Sequence, residues 1–147
     1  FRLSFVEKKF ADYGVCRYST WRERPKDIQY KVLLVDNIGK LSAIYRYADL
    51  SYIGGGFNKS VHNILEAAVY GMPVFFGPKY KHIAEALELV ASDGATPVKD
   101  SDSFQKAIKR SLSEEVYEHV SKSNAEYVRS GAGATSHVME YLEMIGF

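Results

Sequence analysis

The sequence predicts an α/β fold: a parallel β-sheet with helices on both faces, followed by C-terminal helices. Three observations lead to this. Short apolar runs alternate with helical periodicity up to about residue 100, the pattern of strands joined by crossover helices. Lys31–Asp36 (KVLLVD) is a continuous apolar run, as expected of a strand buried on both faces. Beyond residue 100 only helical spacing remains.

The elements follow in order. Residues 1–14 (FRLSFVEKKFADYG) read as a helix already under way, with Phe1, Phe5 and Phe10 among its apolar positions. With no initiator Met and no N-cap, the chain reads as a piece of a longer protein. Gly14–Ser19 is a short strand, and Thr20–Tyr30 is a polar connection containing Pro25. The strand Lys31–Asp36 comes next, and then Leu41, Ile44, Tyr45 and Ala48 recur at helical spacing. Leu50–Gly55 is a strand, and Val61–Tyr70 is a helix that Ser60 is placed to cap. Gly71 ends that helix, and Pro73 opens the strand PVFF. Ile83, Ala84, Leu87, Val90 and Ala91 mark a helix, and Gly94–Val98 a final short strand. Three helical faces complete the chain: Phe104, Ala107, Ile108 and Ser111; Val116 to Val128; and Val138, Tyr141, Leu142 and Ile145. The length of 147 residues suggests one domain, with an α/β core over 1–100 and helices over 101–147.

Composition narrows the function. Hydrophobic residues are 46% and aromatics 14%, sufficient for a sizeable core. A formal net charge of +1 provides no basic field for nucleic acid. Cys16 is the sole cysteine, which excludes an internal disulfide and a cysteine-based metal cluster and fits a reducing compartment. No apolar run approaches the ~20 residues of a membrane helix, and no signal peptide is visible at the start.

Ligands of parallel α/β sheets bind outside the carboxyl ends of the strands. Two loops fall there, Asp36–Lys40 (DNIGK) and Gly54–Ser60 (GGGFNKS). Gly54, Gly55 and Gly56 are consecutive. They match neither the G-x-G-x-x-G spacing nor a phosphate loop ending in Gly-Lys-Ser/Thr. They suit a backbone that approaches an anion at a helix start, with Lys59 adding charge; they equally suit a tight turn seating that helix. In a helix over Val61–Tyr70, His62, Asn63 and Glu66 share one face. That face offers a carboxylate to sugar hydroxyls, or is a solvated face with a capping Asn. His62 and Glu66 alone are a poor zinc site, lacking a third ligand. Lys79, Lys81 and His82 form a second basic group at the same edge, either meeting an anion or solvated.

Taken together, the stretch DNIGKLSAIYRYADLSYIGGGFNKSVHNILEAAVYGMPVFFGPKYKHIAEALEL, about Asp36 to Leu89, resembles the C-terminal domain of 3-deoxy-D-manno-octulosonic acid (Kdo) transferases. The specific signs are DNIG, YRYAD, the glycine triplet, HNILEAA and GMPVFFGP in that order. The resemblance implies the Rossmann-like C-terminal half of a GT-B glycosyltransferase fold. It implies transfer of Kdo from CMP-Kdo to a lipid A precursor in lipopolysaccharide biosynthesis, at the cytoplasmic face of the bacterial inner membrane, without metal or other cofactor. The acceptor site, the proposed carboxylate base and the membrane contact would lie in an N-terminal domain outside this chain. No catalytic residue is then expected here, and the chain alone is expected to be inactive.

Carried over residue by residue, Gly54, Gly55 and Gly56 would approach CMP. His62 and Asn63 would sit near the phosphate or the Kdo carboxylate, Glu66 would hold the ribose, and Ile38 and Gly39 would line the base pocket. Lys59 suits a donor carrying both phosphate and carboxylate. Many family members have glycines just before the His-Asn pair, where this loop reads NKSV, and Asn where this chain has His82. Two other readings stand beside this one. Another GT-B enzyme, such as a UDP-sugar transferase or epimerase, would differ in its base contacts. A non-catalytic sugar-nucleotide-binding module would lack the catalytic N-terminal domain.

Overall fold

Strands pair in parallel throughout, as the alternation predicts. The computed structural model describes residues 2–146; Phe1, counted above in the opening helix, lies outside them. The chain divides into two units, one up to Ile44 and one from Tyr45.

In the first unit, α1 (Arg2–Lys9) precedes β1 (Val15–Arg17), which pairs with β2 (Val32–Leu34). Arg17 donates to both carboxylate oxygens of Glu7, tying β1 to α1. Ser19 donates through its backbone N–H and its hydroxyl to Asp36, joining the segments that follow the two strands. Asp36 is thereby held below the usual carboxylate range, chiefly by the Ser19 hydroxyl. The expectation that Lys31–Asp36 is buried on both faces is not met: Leu33 is 46% exposed. A ladder of two strands leaves this residue without cover on its outer side.

The second unit holds the core. After α2 (Leu41–Tyr45), which runs across the boundary, come β3 (Ser51–Tyr52), α3 (Leu65–Ala68), β4 (Val74–Phe76), α4 (Ala84–Ala91) and β5 (Ala95–Pro97). The ladder order is β3-β4-β5. Its centre is β4, where Val74, Phe75 and Phe76 are each no more than 1% exposed. Alternation along the strand sends these side chains to opposite faces. Val74 and Phe76 join a core cluster with Ala67 and Ala68 of α3 and Ala86 and Leu89 of α4. Phe75 meets Phe104, whose ring also contacts its ladder neighbour Tyr52, with centroids 5.5 and 5.3 Å apart. Phe104 belongs to α5 (Ser101–Ser111), so this ladder has helices on both faces.

Two helices follow, α6 (Glu114–Ser130) and α7 (Ala134–Met144). Asn124 of α6 is wholly buried and donates to the carbonyls of Met72 and Gly94, at 2.9 and 3.0 Å. Those residues precede β4 and β5, so one amide pins the amino-end edge of the ladder. The packed face expected of Val138, Tyr141, Leu142 and Ile145 does not form as such: Val138, Tyr141 and Ile145 are all more than half exposed. Helical spacing was satisfied, but no described element covers that side. No helix of the described residues is long and apolar enough to cross a membrane.

α5 begins with a capping box. Asp100 accepts from the Ser103 backbone N–H at 2.7 Å, and Ser103 Oγ accepts from the Asp100 N–H at 3.0 Å. These bonds hold the Asp100 carboxyl below its ordinary value, led by the Ser103 N–H. A lowered folded pKa contributes stability that is complete above the unfolded value and is lost as pH falls through the folded one. Asp100→Asn should therefore lower the thermal midpoint at neutral pH, with the gap to the parent chain narrowing below about pH 4, near the reference aspartate pKa. Melting curves between pH 2 and 7 test this; a gap independent of pH would remove the ionised cap.

Candidate functional site

The carboxyl ends of β3 and β4 lead into two loops that are locked together. Ile53 donates to Phe75 O at 2.8 Å and continues the ladder one residue beyond β3. The chain then doubles back: Gly56 N–H donates to Lys59 O at 2.8 Å, and His62 N–H donates to Gly54 O at 3.0 Å. Lys79 N–H, from the loop after β4, donates to Gly56 O at 2.7 Å.

Each glycine has a different reason to be there. Gly55 and Gly56 have φ of 90° and 76°, a region side chains avoid. A Cβ on Gly55 would lie 2.2 Å from Ser60 O, and one on Gly56 within 2.9 Å of the Gly77 backbone. A Cβ on Gly77 would in turn meet Gly56 at 2.6 Å. Gly55 lets its own loop close on Ser60, and Gly56 serves contact with the loop after β4, which favours the tight-turn reading at those two positions. Gly54 differs. It is exposed, and its Cβ would sit at an ordinary 3.7 Å from the His62 ring. Nothing in the loop itself demands glycine at 54, so it is the member of the triplet that leaves backbone open to a ligand.

The helix starts later than the spacing predicts, at Leu65, and is four residues long. Val61 is buried and His62 N–H is held by Gly54 O, so residues 61–63 stay pinned to the preceding loop. Ser60 is not its cap; its hydroxyl lies 2.9 Å from His82 Nε2. Asn63 acts instead. Its Oδ1 accepts from Leu65 N–H at 3.1 Å, and its Nδ2 donates to Glu66 Oε1 at 3.0 Å. A single helical turn offers little macrodipole, so the anion site expected at a long helix start has weaker support. Asn63 has both ends of its amide engaged within the chain, as a positioning group. Glu66 is left with one carboxylate oxygen fixed by Asn63 and, among the described residues, no hydrogen bond to the other.

Gly54, His62, Asn63 and Glu66 are thus all exposed, with Gly54 near the His62 ring and Asn63 bonded to Glu66. Tyr45 packs, partly buried, against the core as its helical spacing suggests, and lies within reach of the Glu66 charge. Its phenol titrates above the ordinary value, first because it is partly buried and then because Glu66 bears negative charge nearby. Lys59 falls elsewhere. It lines a hollow of about 500 Å³ with Ser60, Lys79, Lys81 and His82. A second hollow of about 310 Å³ is lined by Ser60, His62, Asn63, Ile83 and Glu85. Ile38 and Gly39 belong to the first unit, where Ile38 stands fully in solvent. The Ser60–His82 bridge and the role of Gly77 had no sequence signal, since each depends on a residue about twenty positions away.

The fold and the carboxyl-edge loops define a Rossmann-like α/β domain of the kind that forms the C-terminal half of GT-B glycosyltransferases. Structural comparison agrees: the C-terminal CMP-Kdo binding domain of WaaA from Acinetobacter baumannii superposes with a TM-score of 0.73 at 20% identity, over 86% of this chain and 68% of that one. No protein-family model matches the chain. The chain is similar in sequence to 3-deoxy-D-manno-octulosonic acid transferases, as its motifs suggest. It is 33% identical over 93 residues to that of Chlamydophila psittaci (62% of this chain, 22% of the relative) and 30% identical over 112 residues to that of Chlamydia muridarum (75% and 25%). The transferase of Aquifex aeolicus is 32% identical over 90 residues, 60% of this chain and 24% of the relative. The chain thus spans about a quarter of the length of these relatives.

Proposed function

We propose that this chain is the donor-binding domain of a glycosyltransferase that moves Kdo from CMP-Kdo to a lipid A precursor. The observation that supports it best is Glu66. Its carboxylate is oriented by Asn63, next in sequence to the His62 whose ring lies near Gly54, in a chain similar to Kdo transferases. In this reading the free Glu66 oxygen accepts from the ribose hydroxyls and Asn63 holds Glu66 in place. Gly54 lets the nucleotide approach, with Gly55 and Gly56 shaping the loop that presents it, and His62 faces the phosphate or the Kdo carboxylate. Lys59 contributes its charge at longer range. Residues 1–100 are the binding core and 101–147 the helices that complete it. The acceptor, the base that activates it and a peripheral contact with the cytoplasmic face of the inner membrane belong to the rest of the whole protein, and transfer requires both parts.

Calorimetric titration with CMP, UMP and CMP-Kdo tests this. CMP and CMP-Kdo should bind, and UMP more weakly. Glu66→Ala should weaken CMP binding by about 1–3 kcal/mol, the range for losing a charged hydrogen-bond partner. Gly54→Ala should weaken it while leaving the melting temperature unchanged. Tighter binding of UMP than CMP would favour a UDP-sugar enzyme, and full affinity in a folded Glu66→Ala chain would exclude that residue from the site.

A further inference from the structure

The hollow between the two loops has a character of its own. Lys59 and Ser60 enter from the loop after β3, and Lys79, Lys81 and His82 from the loop after β4. No Asp or Glu lines it, and among the described residues none of the three lysines takes part in an ion pair. The whole chain carries a net charge of only +1, so this concentration of cations is local rather than a sample of a basic surface.

Lysines on independent loops would simply splay apart into solvent, which is the ordinary fate of such a group. These loops cannot move apart freely. Gly56 and Gly77 meet backbone to backbone, Lys79 N–H donates to Gly56 O at 2.7 Å, and Ser60 Oγ lies 2.9 Å from His82 Nε2. The backbones that carry Lys59 and Lys79 are therefore held at fixed separation around a space of about 500 Å³. Like charges held near one another repel, and an anion between them relieves that repulsion. Ammonium groups act as compact point charges with several donors, which suits a tetrahedral phosphate; planar bidentate capture of a carboxylate favours Arg.

We infer that this hollow is an anion site for a phosphate-type group, separate from the surface that carries Gly54, His62 and Glu66. Ser60 stands at the wall between this hollow and the one that holds His62 and Asn63. The inference does not rest on the nucleotide-sugar reading. The phosphate could be a soluble ester or a lipid headgroup, since both present the same chemistry to the lysines.

The test is an amide-resolved NMR titration of the 147-residue chain with inorganic phosphate at constant ionic strength. Chloride serves as the control, and the titration is repeated at saturating CMP. Saturable shifts are expected at Lys59, Lys79, Lys81 and His82, unchanged by CMP within about twofold. The double variant Lys79→Gln/Lys81→Gln should bind phosphate at least tenfold more weakly with an unchanged melting temperature, because among the described residues no hydrogen bond uses either side chain. Co-sedimentation with phosphatidylcholine vesicles, with or without phosphatidic acid, separates the sources. Binding only to the acidic vesicles, reversed by phosphate, assigns a headgroup; no vesicle binding alongside phosphate binding assigns a soluble ester. Shifts that do not saturate, an equal response to chloride, or full affinity in the double variant would leave only solvated lysines. Displacement of phosphate by CMP would make the hollow part of the nucleotide site. If CMP fails to bind while phosphate does, the donor reading falls and the anion site stands.

Discussion

Replacing Asn124 with Leu should cost the chain about 2–4 kcal/mol of stability, although Leu nearly matches Asn in shape. The Asn124 amide is fully buried and donates to two carbonyls, Met72 O and Gly94 O. Leucine would leave both without these donors in a site closed to water, and each orphaned buried group costs about 1–3 kcal/mol. One term offsets this. Asn124 Oδ1 has no hydrogen-bond partner among the described residues and is removed too. The loss is a large fraction of the 5–15 kcal/mol that typically holds a domain together. Chemical denaturation of the two chains measures it, and a difference below about 0.5 kcal/mol, the usual limit for an inert surface change, would show that the amide contributes nothing net. Gly94 belongs to the same device: a Cβ there would lie 2.0 Å from Asn124 Oδ1, so only glycine admits the amide.

Gly56→Ala should be the second severe change, and it should damage binding along with stability. Its φ of 76° costs a side chain roughly 1–2 kcal/mol. The added methyl also collides with the Gly77 backbone at 2.7–2.9 Å, an overpacking that typically costs about 1–3 kcal/mol more. Relief requires the two loops to separate, which would break the bond from Lys79 N–H to Gly56 O and disorder both hollows. Thermal unfolding alongside CMP and phosphate titrations follows both consequences. Gly54→Ala is the control for stability alone, since the fold leaves room for its methyl. Equal melting temperatures for the two variants would overturn the distinction between the glycines.

Much of the fold was legible because hydrophobic periodicity is local. The PVFF run announced a strand, and it forms one in which Val74, Phe75 and Phe76 are all buried. KVLLVD is expected to be buried on both faces, yet Leu33 is exposed, because burial depends on neighbours that a run cannot specify. The α7 stripe failed for the same reason. The order of motifs was enough to reveal the relation to Kdo transferases. The candidate site was legible as a set of residues more than as an arrangement. Gly54 lies near the His62 ring and Asn63 bonds to Glu66, all four being exposed. The reason is not the helical face expected of Val61–Tyr70, but a loop pinned by His62 N–H to Gly54 O and turned by Asn63.

By itself, then, the sequence determined the alternation of elements, the parallel fold class, the edge of the sheet at which to look, and the chemical types gathered there. These follow from periodicity, glycine placement and side-chain chemistry, which act within a few residues. Only the tertiary structure decided that Gly56 serves loop-to-loop contact, that Asn63 positions Glu66, and that Lys59 stands with Lys79 and Lys81. Those outcomes depend on backbone approaches between Gly56 and Gly77, twenty-one positions apart in sequence, and no local pattern records a contact made across that distance.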